Sequence, residues 1–314
     1  MPGLDILRYA AFTTRSDGGN PAGVVLDAST LDDASMQRIA ADIDFSETAF
    51  VTGSDGDGAL TIRYFSPIAE VPFCGHATVA TAVALADAGR VSTGAIRFAT
   101  PVGVVEIQVS TDAAGTRASF TSIEPSVSPL TEDDLAAILD EIGLDPSALD
   151  AELPPRIAHA GNPHPVVVVA DRAAFDDFTF DAERVRALMD DRGWPATITV
   201  AHRLGRDRFV ARNLFPVGRI TEDPATGSAA ASFGAYLRSL DAVALPARIV
   251  IEQGAHVGRP GELTVDIPAS GSTLSSKSSI SAAGPAPSSG PTNTSRAPRT
   301  DRTGQRMPRH DDSS

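Results

Sequence analysis

Along most of the chain the apolar residues fall in short alternating runs, and twice they crowd into a stretch with almost no polar face. Ile6 to Phe12 and Gly23 to Leu26 read as the first two strands, on either side of the turn Ser16-Asp17-Gly18-Gly19-Asn20-Pro21. Leu31 to Asp42 has Met36, Ile39 and Ala40 at helical spacing. Phe45, Ala49 and Val51 alternate as a strand face, Leu60 to Tyr64 is a further strand, and Ile96 to Ala99 and Val102 to Val109 flank the turn Thr100-Pro101. The first crowded stretch is Pro72-Phe73-Cys74-Gly75-His76-Ala77-Thr78-Val79-Ala80-Thr81-Ala82-Val83-Ala84-Leu85. It predicts a helix from His76 to Ala88, stopped by Gly89, and a helix apolar all round must be buried all round. Its free N-terminal N–H groups are then held inside the fold, where they attract anions.

The second part of the chain repeats this plan. Thr131 caps a helix that ends before Gly143, Ile157 to Val169 reads as two short strands about a tight turn, and Asp181 to Met189 is a helix. Strands follow at Ile198 to Ala201 and Arg208 to Asn213, then a second crowded stretch, Asp223 to Leu237, then Arg248 to Gln253 and Glu262 to Ile267. Arg63-Tyr64-Phe65-Ser66-Pro67 precedes the first buried helix and Arg212-Asn213-Leu214-Phe215-Pro216 the second, 149 residues later. An ungapped match implies duplication: an α+β fold of two similar strand-rich half-domains with one buried helix in each. We expect residues 1–121 and 122–268 to be the halves, with Cys74 and Asp223 as equivalent positions facing one cleft. From residue 269 to 314 the chain is rich in Ser, Pro and Arg and reads as a disordered tail.

Composition narrows the chemistry. The net charge of −14, with no basic stripe, argues against nucleic acid. No apolar run approaches a membrane span and Met1-Pro2-Gly3-Leu4-Asp5 lacks the features of a signal peptide, so we expect no membrane partner and a cytoplasmic location. A single cysteine excludes an intramolecular disulfide, and the one lysine, Lys277, lies in the tail, which disfavours a Schiff-base cofactor. The expected cofactor is none.

Glu47 is the residue most at odds with its surroundings, because its strand spacing turns a carboxylate to the same side as Phe45, Ala49 and Val51. His76 at a helix entrance fits a cap or packing role as well as catalysis, and Cys74 alone fits a buried small side chain. Asp223 before Pro224 is explained by helix capping alone, and His164 between two prolines reads as structural.

Together, Asn20-Pro21-Ala22-Gly23, Ser46-Glu47-Thr48-Ala49-Phe50, Phe73-Cys74-Gly75-His76-Ala77-Thr78, Glu222-Asp223-Pro224-Ala225-Thr226-Gly227-Ser228-Ala229 and Gln253-Gly254 with Gly258-Arg259-Pro260 resemble the PhzF (phenazine biosynthesis) family, over residues 5–267. The resemblance implies the diaminopimelate epimerase-like fold, two similar halves each wrapping a barrel-like sheet around a central buried helix, and a cofactor-independent isomerase of a small carboxylate substrate. That fold has a last strand after Asp266-Ile267-Pro268, where this chain has the Ser/Pro/Arg-rich tail, so an edge strand of the second half is expected to be missing. In it Glu47 moves a proton, His76 and Asp223 assist, and Ser46, Gly75, Gly227 and Ser228 bind substrate. A homodimer is the assembly to test for. Epimerases of the wider superfamily use one thiol from each half, and this chain has a single cysteine, so a two-thiol racemase is disfavoured and Cys74 is expected to be dispensable. A non-catalytic binding protein of the same fold, and an epimerase or racemase, are the alternatives. We expect Glu47 and His76 on opposite walls of the cleft, with Asp223 near His76.

Overall fold

The computed structural model describes residues 4–15, 17–113 and 115–269, and the backbone of 275–279 and 281–282. β1 (Leu7–Ala11) pairs antiparallel with β2 (Asn20–Val25), which runs parallel to β3 (Glu47–Ser54). The crossover between β2 and β3 is α1 (Asp33–Ile43), which turns Met36, Ala40 and Ile43 inward and is capped by the Asp32 carboxylate accepting from Ser35 N–H. β4 (Leu60–Phe65) forms a hairpin with β3, and β5 (Glu70–Val71) folds back on β4. α2 (Gly75–Asp87) then carries the chain to β6 (Gly94–Thr100), parallel to β4, and β7 (Gly103–Asp112) and β8 (Gly115–Thr121) complete a meander. Every residue of α2 from Ala77 to Leu85 is buried, packed among Tyr9, Val24, Ile62, Tyr64, Phe98 and Ile107. The sheet curls because it must cover a helix that has no polar side to expose.

The second half reuses the order. β9 (Ser126–Pro129) and α3 (Glu132–Ile142) lead to β10 (Arg156–His159) and β11 (Pro163–Val169). The crossover holds α4 (Arg172–Asp177) and α5 (Ala182–Arg192), and β12 (Ile198–Arg203) returns parallel to β11. β13 (Arg208–Leu214), β14 (Glu222–Asp223), α6 (Gly227–Ser239), β15 (Ala247–Gln253) and β16 (Gly261–Ile267) repeat β4, β5, α2, β6 and β7 with the same parallel and antiparallel partners. α6 is buried from Ala229 to Leu237. Among the described residues no helix is long and apolar enough to cross a membrane.

Register corrects the expected equivalence of Cys74 and Asp223. Tyr64 stands opposite Val71, and Asn213 opposite Asp223. Asn213 is 149 residues after Tyr64, but Asp223 is 152 after Val71. The second half therefore has three extra residues between these strands, where Pro216–Gly218 makes a single 3-10 turn. Cys74, the residue before α2, corresponds to Thr226, the residue before α6, and Asp223 corresponds to Val71. An Arg–Glu pair is conserved across the repeat with the same shift: Arg63–Glu70 at 2.7 Å and Arg212–Glu222 at 2.6 Å.

A second correction concerns the end of the sheet. β17 (Ser275–Ser279) lies between β16 and β8, and β18 (Ser281–Ala282) pairs with β1. The strand expected to be missing is thus present, and the tail that was expected to begin at 269 contributes to the fold. Strand pairing is made by main-chain groups, so a serine-rich segment with a neighbour on each side can pair without an apolar face of its own. The remainder of the tail lies outside the described residues.

Candidate active site

The two central helices differ from the others in how they begin. α1, α3, α4 and α5 each start at a side chain that accepts from their own first-turn N–H groups, Asp32, Thr131, Asp171 and Asp181. α2 begins after Cys74 and α6 after Thr226, and neither residue makes such a cap. Both helices thus present first-turn N–H groups, on Gly75 and His76 and on Gly227, Ser228 and Ala229, with the positive end of the helix dipole behind them. The two helices touch, and a Cβ at Gly227 would lie 3.0 Å from Phe120 and 3.1 Å from Phe12, both in the first half. The N-terminus of α6 is therefore pressed against the other half, and glycine lets its backbone approach.

Glu47 opens β3, and its carboxylate Oε2 lies 3.4 Å from His76 Nε2 and 3.4 Å from Cys74 Sγ. Cys74 Sγ is 3.3 Å from His76 Nδ1, and Ser46 Oγ is 3.4 Å from His76 Nε2. Glu47 and His76 are hence on the same wall, which overturns the expectation of opposite ones: the start of β3 and the start of α2 meet at one end of the first half. Asp223 supplies a group from the second half, close enough for the Glu47 charge to raise its carboxyl and for its own charge to raise the Cys74 thiol. Its Oδ1 accepts from Asn20 Nδ2 at 2.8 Å, its Oδ2 accepts from the Thr226 hydroxyl at 2.5 Å, and Gln253 Nε2 donates to its backbone carbonyl at 2.7 Å. Asn20 also donates to the Ala225 carbonyl at 3.1 Å, so one amide of the first half holds the approach to α6.

Burial sets the protonation of the cluster. It pushes the Asp223 carboxyl up to about 7, against the hydrogen bonds from Thr226 and Asn20 and with the help of the Glu47 charge. It pushes the Cys74 thiol well up, and the neighbouring Glu47 charge adds to this. It lowers His76, partly offset by Glu47 and by the Pro21 carbonyl. Near neutral pH the site holds a thiol and a neutral imidazole beside the Glu47 carboxyl, with Asp223 poised to give or take a proton. Glu47, Cys74 and His76 each offer a donor atom within 4.8 Å of the others, a mixed sulfur, nitrogen and oxygen set that suits zinc if Cys74 gives up its proton.

The matching place in the second half carries different groups. Thr48 pairs with Phe65 as Ile198 pairs with Leu214, so Glu47 corresponds to Thr197, while His76 corresponds to Ser228. The carboxylate and imidazole of one half are thus hydroxyls in the other. Of the residues singled out from sequence, Glu47, Ser46, Gly75 and His76 gather on one wall, and Asp223, Gly227 and Ser228 belong to the other. Asn20, Thr226 and Gln253 hold Asp223 in place and had no assigned role, although all three stand in the quoted motifs.

Comparison with known proteins agrees with this fold. The family model for phenazine biosynthesis-like proteins, PhzC-PhzF, matches residues 9–287. The chain is 35% identical over 270 residues to an uncharacterized isomerase of Deinococcus radiodurans, covering 84% of this chain and 87% of that one. It is 30% identical over 251 residues to a trans-2,3-dihydro-3-hydroxyanthranilate isomerase of Pseudomonas chlororaphis, covering 80% and 85%. The crystal structure of a Bacillus anthracis phenazine biosynthesis protein of the PhzF family superposes with a TM-score of 0.78 at 27% identity, covering 89% of this chain and 97% of that one.

Proposed function

Because the chain belongs to the phenazine biosynthesis-like (PhzC-PhzF) family, we propose that it is a cofactor-independent isomerase of a small carboxylate, working by general acid/base proton transfer. The observation that carries this reading is the convergence of Glu47, His76 and Cys74 within 3.4 Å contacts beside a second carboxyl, Asp223, that burial holds near neutral pH. In this reading Glu47 removes a proton from an acidic C–H and returns it elsewhere on the same face of the substrate. His76 is uncharged and orients Glu47. Asp223 supplies or accepts a proton on the opposite side, with its acidity matched to ambient pH. The uncapped N-termini of α2 and α6 hold the substrate carboxylate through the N–H groups of Gly75, Gly227 and Ser228, and Ser46 completes that wall. Relatives named as isomerases support the reaction class.

The epimerase alternative is weakened by the corrected register. Cys74 faces Thr226 across the repeat, and a hydroxyl held by Asp223 and Gln253 is a poor base for a second α-proton. The protein acts on a free metabolite in the cytoplasm in this account, with the oligomeric state read by light scattering. A panel of small carboxylates incubated with the protein in D2O tests the reading: deuterium enters one substrate at carbon and its double bond moves. A panel in which ligands bind and none exchanges would favour the binding-protein alternative.

A further inference from the structure

His164 was read from sequence as structural, and the reaction described above does not use it. It is fully buried on β11, and its ring spans two hydroxyls. Nδ1 lies 2.9 Å from Thr197 Oγ1 and 3.1 Å from the Thr197 carbonyl oxygen, and Nε2 lies 3.1 Å from Ser228 Oγ. Thr197 donates its one hydroxyl hydrogen to Asn213 Oδ1 at 2.8 Å. Thr197 therefore offers His164 only lone pairs, from hydroxyl and carbonyl alike, and Nδ1 must carry the ring hydrogen. Burial lowers the ring to about 4, so at neutral pH it carries no second hydrogen. Nε2 is then an acceptor, and among the described residues the Ser228 hydroxyl, at 3.1 Å, has a hydrogen to give it.

We propose that His164 is a positioning residue that accepts a hydrogen bond from the Ser228 hydroxyl, so that Ser228 Oγ keeps only lone pairs for a ligand and favours carboxylates that bring a hydrogen-bond donor, a hydroxyl or an ammonium, to it. Ser228 is half-buried in the first turn of α6, where its own N–H is available to an anion. One residue thus makes two opposite demands: an acceptor on the substrate for its N–H, and a donor for its Oγ. The division follows from the repeat. Ser228 occupies the place that His76 occupies in the first half, and His164 follows Asn162-Pro163 as Ala22 follows Asn20-Pro21. The second half has therefore moved its imidazole one layer back, from the cleft to behind a hydroxyl. A site that holds a buried acceptor discriminates against a ligand that leaves it unpaired.

The selectivity rests on the proposed carboxylate site but not on turnover, so binding tests it separately. Calorimetric titration of the full chain with cyclohexanecarboxylate and with 2-hydroxycyclohexanecarboxylate should show the hydroxy acid binding roughly three- to tenfold tighter. Ser228→Ala should remove that preference, read as the ratio of the two affinities. His164→Leu should remove it as well, and His164→Gln, whose amide oxygen can accept in place of Nε2, should restore it. Adding His164→Leu to Ser228→Ala should change nothing further. In parallel, long-range 1H–15N spectra of the unmodified protein should show the ring that contacts Thr197 and Ser228 with hydrogen on Nδ1 and none on Nε2. Equal binding of the two acids by the unmodified protein, or a ring with hydrogen on Nε2, overturns the proposal whether or not the protein is an isomerase. If neither acid binds, the proposal falls together with the carboxylate site it rests on, an outcome distinct from equal binding of the two acids.

Discussion

Asp223→Asn should stabilise the protein at neutral pH, by an amount that grows as pH rises. The Asp223 carboxyl moves from 3.8 in the open chain to about 7 in the fold, chiefly because it is buried. Three units at about 1.4 kcal/mol each is about 4 kcal/mol, and water reaching a half-buried carboxyl makes that a ceiling. The sign follows from linkage: between the two values the unfolded chain has released this proton and the native protein retains it. The native state is therefore favoured most below about pH 4 and loses that advantage as pH rises through about 7. Asparagine is uncharged throughout and nearly isosteric with the protonated acid. Its amide oxygen can still accept from Asn20, and its amide nitrogen can donate to the Thr226 hydroxyl. Urea denaturation of both proteins from about pH 4 to about pH 8.5 reads the effect as a difference, which cancels the titration of groups common to both. The stability of the variant relative to the parent should climb by up to about 4 kcal/mol across this range. A constant difference would show that Asp223 ionises at its ordinary value and would remove it as the acid of the site.

Other consequences can be checked on the same protein. The His164 ring falls from 6.5 to about 4 on folding, so the stability it supports is present above 6.5 and drains as pH drops towards 4; His164→Gln should flatten that acid limb of the stability profile, by up to about 3 kcal/mol. Arg212→Met should cost about 3–5 kcal/mol because it leaves the Glu222 carboxylate buried and unpaired, whereas Arg63→Met, at the equivalent but more exposed pair, should cost about 1 kcal/mol or less, both read from denaturation midpoints. Zinc should inhibit turnover through Glu47, Cys74 and His76, more strongly as pH rises because the Cys74 thiol must lose its proton, and Cys74→Ala should relieve the inhibition in an activity titration.

The parts of this fold that were legible in the sequence are those where one physical demand dominates. A helix apolar on all sides has one solution, burial within a sheet, and α2 and α6 follow it. Glu47 stood out because strand alternation turns a carboxylate inward. The equivalence of Cys74 with Asp223 failed because the constant offset holds only as far as Pro67 and Pro216: the extra turn at Pro216–Gly218 shifts everything after it by three residues. β17 was missed because its pairing depends on neighbours distant in sequence and not on its own side chains. The partners of Asp223 were hidden for a similar reason, since Asn20 is 203 residues away from it.

The central claim is that one carboxyl, Glu47, moves the proton and that Cys74 does not. Deuterium incorporation at carbon, measured for Glu47→Gln and Cys74→Ala side by side on a substrate found in the carboxylate panel, tests it most directly. The account predicts that Glu47→Gln folds and binds but exchanges about 10²- to 10⁴-fold more slowly, while Cys74→Ala keeps most of the exchange rate. Loss of exchange in Cys74→Ala with retention in Glu47→Gln would contradict it and place the thiol at the centre of the chemistry.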